Sequence, residues 1–292
     1  VMPKWIFLLL GLFLSGNVFS ASGYHFRYTE HCAAAYMHFM ALQTDKGKAA
    51  LQQARKEDPK NLMTVYIADY EDFFLLLLNG DPADMAQRRD HLAERIQAFD
   101  KADTHDPYSR LCKAGIYLRW AIIYGRFGEQ FKAALTFRKA YMLIRENKKL
   151  FPEFAPNQVF YGLCEAVAGA VPDEHKWLAA IFGVKGDINK GISRILHYIN
   201  TNPEPNAFLK AEAIIAWCYL KFYLQARKES VWNFINSNRF PVQQNLLNTF
   251  VKANIALNYR KADVALQTLR QAEQDIPGYQ LYPVLDYEMG IA

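Results

Sequence analysis

Three groups of side chains have types and spacing that could support chemistry. His31 and His38 lie seven residues apart, two helical turns, and would share a helix face with Cys32 beside the first. Imidazole and thiolate are metal ligands, but a closed site needs further ligands. None is identifiable, so an interior or surface histidine pair is the simpler reading. Asp69, Glu71 and Asp72 sit together on one helical stretch and read as a solvated face or one side of a groove. Asp173-Glu174-His175 has acid–base residue types, yet it follows Pro172, where a helix N-terminus attracts acids. The four cysteines, Cys32, Cys112, Cys164 and Cys218, are separated by 80, 52 and 54 positions, which rules out C-x-x-C and zinc-ribbon spacing. Each falls among apolar neighbours and reads as a buried thiol acting as a small hydrophobe. Export of the chain would also permit a disulfide. No G-x-S-x-G, H-E-x-x-H, P-loop or dinucleotide fingerprint occurs. No catalytic, cofactor-binding or metal-binding residue is therefore assigned, and the chain is expected not to be an enzyme.

The elements that would carry these residues are helices. The chain has 292 residues and is 14% aromatic, with 17 Tyr and 20 Phe. Its Pro and Gly residues fall between periodic stretches rather than in low-complexity runs. The clearest stretch is Tyr117–Ala140, YLRWAIIYGRFGEQFKAALTFRKA. Tyr117, Trp120, Ala121 and Tyr124 recur at helical spacing, a turn follows at Phe127–Gly128, and Ala133, Phe137 and Ala140 form the answering stripe. Small residues let two helices approach while large ones fill the flanks. The order large, large, small, aromatic, Gly turn, Ala, aromatic, Ala resembles the tetratricopeptide repeat. The resemblance implies an all-α fold, a right-handed α-α superhelix of helical hairpins with no sheet.

Prolines punctuate the chain at Pro59, Pro107, Pro152, Pro203, Pro241 and Pro277. Packing stripes precede them, weakly at Pro241, where Asn233 and Asn236 take the stripe positions. The gaps of 48, 45, 51, 38 and 36 exceed the roughly 34 residues of a standard repeat, so the helices should be extended. The expected pairs begin with Tyr28–Thr44 and the Leu51/Ala54 helix. Leu62–Asn79 with Pro82–Ala102, and Ser109–Arg126 with Gly128–Leu150, follow. The fourth pair spans 157–203, with an extra helix at Pro172–Gly183 and a return helix capped at Gly186-Asp187, where Gly191 permits close approach. The fifth and sixth are Asn206–Arg227 with Ser230–Asn236 and Gln243–Asn258 with Lys261–Asp275. Tyr282–Ala292 opens a seventh without its partner, which reads as truncation of a repeat domain spanning 21–292.

The 157–203 segment carries a second resemblance. Gly162, Pro172, Lys176-Trp177-Leu178, Gly183, Gly186-Asp187 and Gly191 look like the G…P…KLL…GF.GDR..G segment of the tetratricopeptide-repeat protein 39 and inclusion-body-clearance family. Val184 and Ile188 depart from that pattern. The resemblance implies a helical-repeat adaptor and transfers no functional residue.

Residues 1–20 read as a signal peptide: Lys4, ten apolar residues from Trp5 to Leu14, a Ser15-Gly16-Asn17 break, and cleavage between Ser20 and Ala21. Ten residues span only about half a bilayer as helix. The mature chain would then be exported, to the periplasm or outer surface in a bacterium. Its net charge of +5, from 34 basic and 29 acidic residues, is diffuse. Lys148-Lys149 and Arg88-Arg89 read as solvated helix faces, and no nucleic-acid patch is formed. The expected role is a scaffold for a protein or peptide partner in the cell envelope. Leu118, Ile122 and Arg126 would line the inner face of the third hairpin. The alternative is an accessory protein for carbohydrate capture, which would display a row of solvent-facing Tyr and Trp rings.

Overall fold

The computed structural model describes residues 23–171 and 186–292, and within them the chain is helical with no strand. A single bridge joins His25 and Asn61. The N-terminal hairpin is α1 (Glu30–Phe39), capped by the Thr29 side chain, and α2 (Thr44–Glu57). The long apolar α3 (Met63–Asn79) ends at Gly80, whose φ of 65° makes a left-handed cap. α4 (Pro82–Arg88) and α5 (His91–Phe99) follow, then α6 (Pro107–Arg126) and α7 (Gln130–Leu150). α8 (Asn157–Gly169) and α9 (Ile188–Thr201) bracket residues 172–185. The remainder is α10 (Lys210–Tyr223), α11 (Lys228–Ile235), α12 (Leu246–Asn258), α13 (Ala262–Asp275) and α14 (Pro283–Ile291). No helix among the described residues is long and apolar enough to cross a membrane.

Sequential helices pack as hairpins. The α6/α7 pair shows its own register, with Lys132 over the Tyr124 ring and Lys139 over Tyr117, which is antiparallel. In α8/α9 the two backbones nearly touch. A Cβ on Gly191 would lie 2.4 Å from the Gly162 carbonyl oxygen, and one on Gly162 would lie 2.6 Å from the Gly191 carbonyl oxygen. The expected close approach at Gly191 is thus present and needs both glycines. Asp187 starts α9 by accepting a hydrogen bond from the Lys190 amide at 2.9 Å.

Two expectations change. The stretch Pro82–Ala102 is not one return helix but two, interrupted at Arg89–Asp90. The interruption brings Arg88, His91 and Arg95 together on Asp72. Pro107, read as punctuation after a helix, opens the next one: Asp106 caps α6 and Pro107 fills its first position, where no amide hydrogen is needed.

The C-terminal half folds back onto the N-terminal helices. Phe208, ahead of α10, packs among the rings of Tyr28, Tyr36, Tyr66 and Tyr108, at centroid distances of 4.9 to 6.4 Å. The Tyr28 hydroxyl donates to the Asn206 carbonyl (3.3 Å), and Tyr282 shares a hydrogen bond with Thr44 Oγ1 (2.9 Å). α14 lies against α12, α13 and α3. The expected seventh opening helix therefore exists and contacts the start of the chain. The signal-peptide residues 1–20 and the extra helix at Pro172–Gly183 lie outside the described residues.

Gly191→Ala should destabilise the protein by about 1–3 kcal/mol or more, because its methyl would meet backbone that cannot move aside. Gly125→Ala, with nothing within 4 Å of its Cβ, should stabilise α6 by about 0.5–1 kcal/mol. Urea denaturation of both variants checks the pair; equal effects would mean that the α8/α9 approach is looser than described.

Candidate functional site

Polar and apolar groups concentrate in two places around α6. The first is buried. Arg119 stands alone among apolar residues in YLRWAII and is 1% exposed. Its Nε donates to Asp69 Oδ2 at 2.6 Å and its Nη1 to the Tyr66 hydroxyl at 3.1 Å. Its guanidinium carbon lies 4.6 Å from the Tyr66 ring centroid and 4.1 Å from that of Tyr70. Asp69, fully buried, also accepts from Trp120 Nε1 (3.0 Å) and Arg95 Nη1 (2.8 Å). From α10, Glu212 accepts from the Tyr70 hydroxyl at 2.6 Å and stands 3.7 Å from Arg119 Nη1. Its amide donates to the Tyr36 hydroxyl at 3.1 Å.

This arrangement corrects the solvated-face reading of Asp69 and Asp72. Both are buried, and only Glu71 of the three, paired with Lys48, keeps partial exposure. Arg88 is likewise turned onto Asp72 and Asp84 rather than solvated, and Lys148 lies over the Tyr161 ring. Burial works against the Arg119 charge. The facing oxygens of Tyr66 and Tyr70, with Asp69 and Glu212, more than offset it and hold its pKa well above the ordinary value. Burial pushes the Glu212 carboxyl above the usual range, against the pull of Arg119 and the Tyr70 hydrogen bond. These groups join α3, α5, α6 and α10.

The second place is an apolar groove of about 460 Å³ between α6, α7 and α8. Leu118, Ala121 and Ile122 form one wall, Ala133, Ala134 and Phe137 another, and Leu163 and Val167 the third. Ile122 is 45% exposed and Val167 37%, whereas Leu118 is buried at the floor. Of the three expected partner-facing residues, the structure brings Leu118 and Ile122 together. Arg126 is elsewhere: its Nε donates to the Leu77 carbonyl at 3.3 Å and its guanidinium covers Gly80. It ties the tips of α3 and α6. Ala121 is buried and stands with Ala133 and Phe137, on the side of α6 that faces α7, as its spacing suggested. Leu163 and Val167 were missed because their face of α8 is defined only by how the fourth pair docks on the third.

The remaining candidates disperse. His31 Nδ1 meets Glu57 at 3.0 Å while His38 Nδ1 meets Gln43 at 2.9 Å. Asp173-Glu174-His175 lie outside the described residues. Cys32, Cys112, Cys164 and Cys218 are buried free thiols, and burial raises the pKa of each, to about 12 at Cys218. Among the described residues no group of three or more His, Cys, Asp or Glu is arranged around a metal position.

Asp69→Asn should cost about 3–5 kcal/mol, since it strips the principal counter-charge from a buried guanidinium. Glu212→Gln should behave differently. A carboxyl whose folded-state pKa is raised contributes stability that is present at low pH and lost as pH rises through that pKa. The wild type should therefore gain on Glu212→Gln between about pH 7.5 and pH 5 in urea titrations. The opposite slope would mean that the fold requires Glu212 charged. No protein-family model matches the chain, and comparisons with curated proteins and with solved structures find no match.

Proposed function

We propose that the chain is a non-enzymatic scaffold, a right-handed superhelix of tetratricopeptide-like hairpins, that binds an apolar segment of a protein or peptide partner in the cell envelope. The observation that carries this is the groove between α6, α7 and α8, whose lining is almost wholly aliphatic or aromatic and whose rim exposes Ile122 and Val167. Apolar side chains left in a concave surface favour insertion of a partner's apolar anchor. Hairpin packing and the α6/α7 stripe support the repeat reading. On this reading, Phe208 and Glu212, which pack on Tyr66 and Tyr70 of α3, would leave less of an inner face open than in a typical array.

The carbohydrate-capture alternative needs a row of exposed rings. Trp120 and Trp217 are buried, and among the described residues the exposed large rings, Phe131, Tyr223 and Tyr287, sit on three different helices. This favours the scaffold. Export rests on the N-terminal sequence, and the mature chain should begin at or near Ala21.

The test replaces Ile122, and separately Val167, with a photo-crosslinking amino acid in cells, with Tyr287 as the control position. Adducts at the two groove positions but not at Tyr287, with the Val167 adduct abolished by Ile122→Asp and the circular dichroism spectrum unchanged, are the expected outcome. Equal labelling at all three positions would remove the groove from consideration.

A further inference from the structure

A second concavity, of mixed lining where the first is apolar, lies at the C-terminal end. α12, α13 and the loop before α12 enclose a groove of about 610 Å³. Its lining includes the carboxamides of Gln243, Gln244, Gln267 and Gln271, the Thr268 hydroxyl and Lys252. Small-molecule sites fall in this size range and depend on a few placed polar groups.

Lys252 is the unusual member. It is half-buried, no ion pair or hydrogen bond involves it among the described residues, and burial alone pushes its ammonium pKa down. A half-buried ammonium without a counter-ion of its own is a ready partner for an anion that enters the groove. The groove's own carboxylate, Asp275, accepts a hydrogen bond from Gln271 and exerts no resolved effect on Lys252.

The wall facing this cation is held in place. Gln244 adopts φ 56°, a conformation that a non-glycine residue keeps only when its surroundings enforce it. Asn248 Nδ2 donates to the Pro241 carbonyl (2.8 Å), the Asn245 amide to the Val242 carbonyl (3.1 Å), and Gln43 Nε2, from the α1–α2 turn, to the Gln244 carbonyl (3.1 Å). The carboxamides therefore stand on a braced loop and on a helix.

We infer that this groove binds a small hydroxylated organic anion carrying one carboxylate. Lys252 takes the carboxylate. Carboxamides both donate and accept, which matches hydroxyl groups that do the same. Asp275 repels a second acid group, so a monoanion is preferred over a di- or tricarboxylate. The inference is independent of the apolar groove and its partner.

The test is calorimetric titration of the full mature chain with gluconate and with glucuronate, against acetate, inorganic phosphate and sorbitol. Saturable binding of at least one sugar acid is expected, with sorbitol and acetate much weaker. Lys252→Met should weaken it about tenfold or more, the loss of one charge-assisted contact. Lys252→Arg should largely restore it, and Gln267→Ala, an exposed position, should weaken it without affecting the fold. Absence of saturable binding of both acids up to about 10 mM overturns the inference. So does equal binding of acetate or phosphate, which would mean a non-selective cation, or affinity that survives Lys252→Met.

Discussion

The burial of one guanidinium constrains much of the rest. Arg119 sits where solvent does not reach, so its charge must be met by the protein. Asp69 meets it from α3, the Tyr66 and Tyr70 rings cover it, and Glu212 approaches from α10. Tyr66, Asp69 and Tyr70 come from α3 and Glu212 from α10, so satisfying one side chain of α6 positions three helices together. The same need spreads outward. Asp69 also takes Arg95, and Arg95 shares Asp72 with Arg88 and His91. That convergence accounts for the interruption between α4 and α5.

Closure of the chain on itself follows from this core. Phe208 enters a cradle of four tyrosine rings, and Glu212 follows one helical turn later. Stacked hairpins would otherwise leave the inner face of their first helices open to a ligand. Here the chain supplies the aromatic side chain and the carboxylate itself. An apolar groove lies beside that core, where α6, α7 and α8 meet, and a groove of mixed lining lies where the α12/α13 hairpin meets its preceding loop.

Helix identity was legible in the sequence because it is local. Asn79-Gly80 and Gly186-Asp187 mark helix ends through capping and backbone preference alone, whereas Pro107, read as ending a helix, opens one. The α6/α7 hairpin was legible too, since its stripe and turn lie within twenty-four consecutive residues, and so was the close approach at Gly191. Leu118 and Ile122 could be placed on a common face by helical spacing. What spacing could not reveal was which neighbour each face would meet. Arg126 differs from Ile122 by one turn, yet it reaches the end of α3, while Ile122 borders a groove completed by α8. Asp69 and Asp72 have the sequence signature of a wet helix face. Only the arrival of Arg95, Arg119 and Glu212 from positions 23 to 143 residues further along makes them buried. The sequence by itself determined that the chain is helical and where most helices end, because those preferences act within a few residues, but not the interruption at Arg89–Asp90. The tertiary structure decided which charges are buried and which apolar faces stay open, because desolvation and packing depend on segments the chain brings together only when folded.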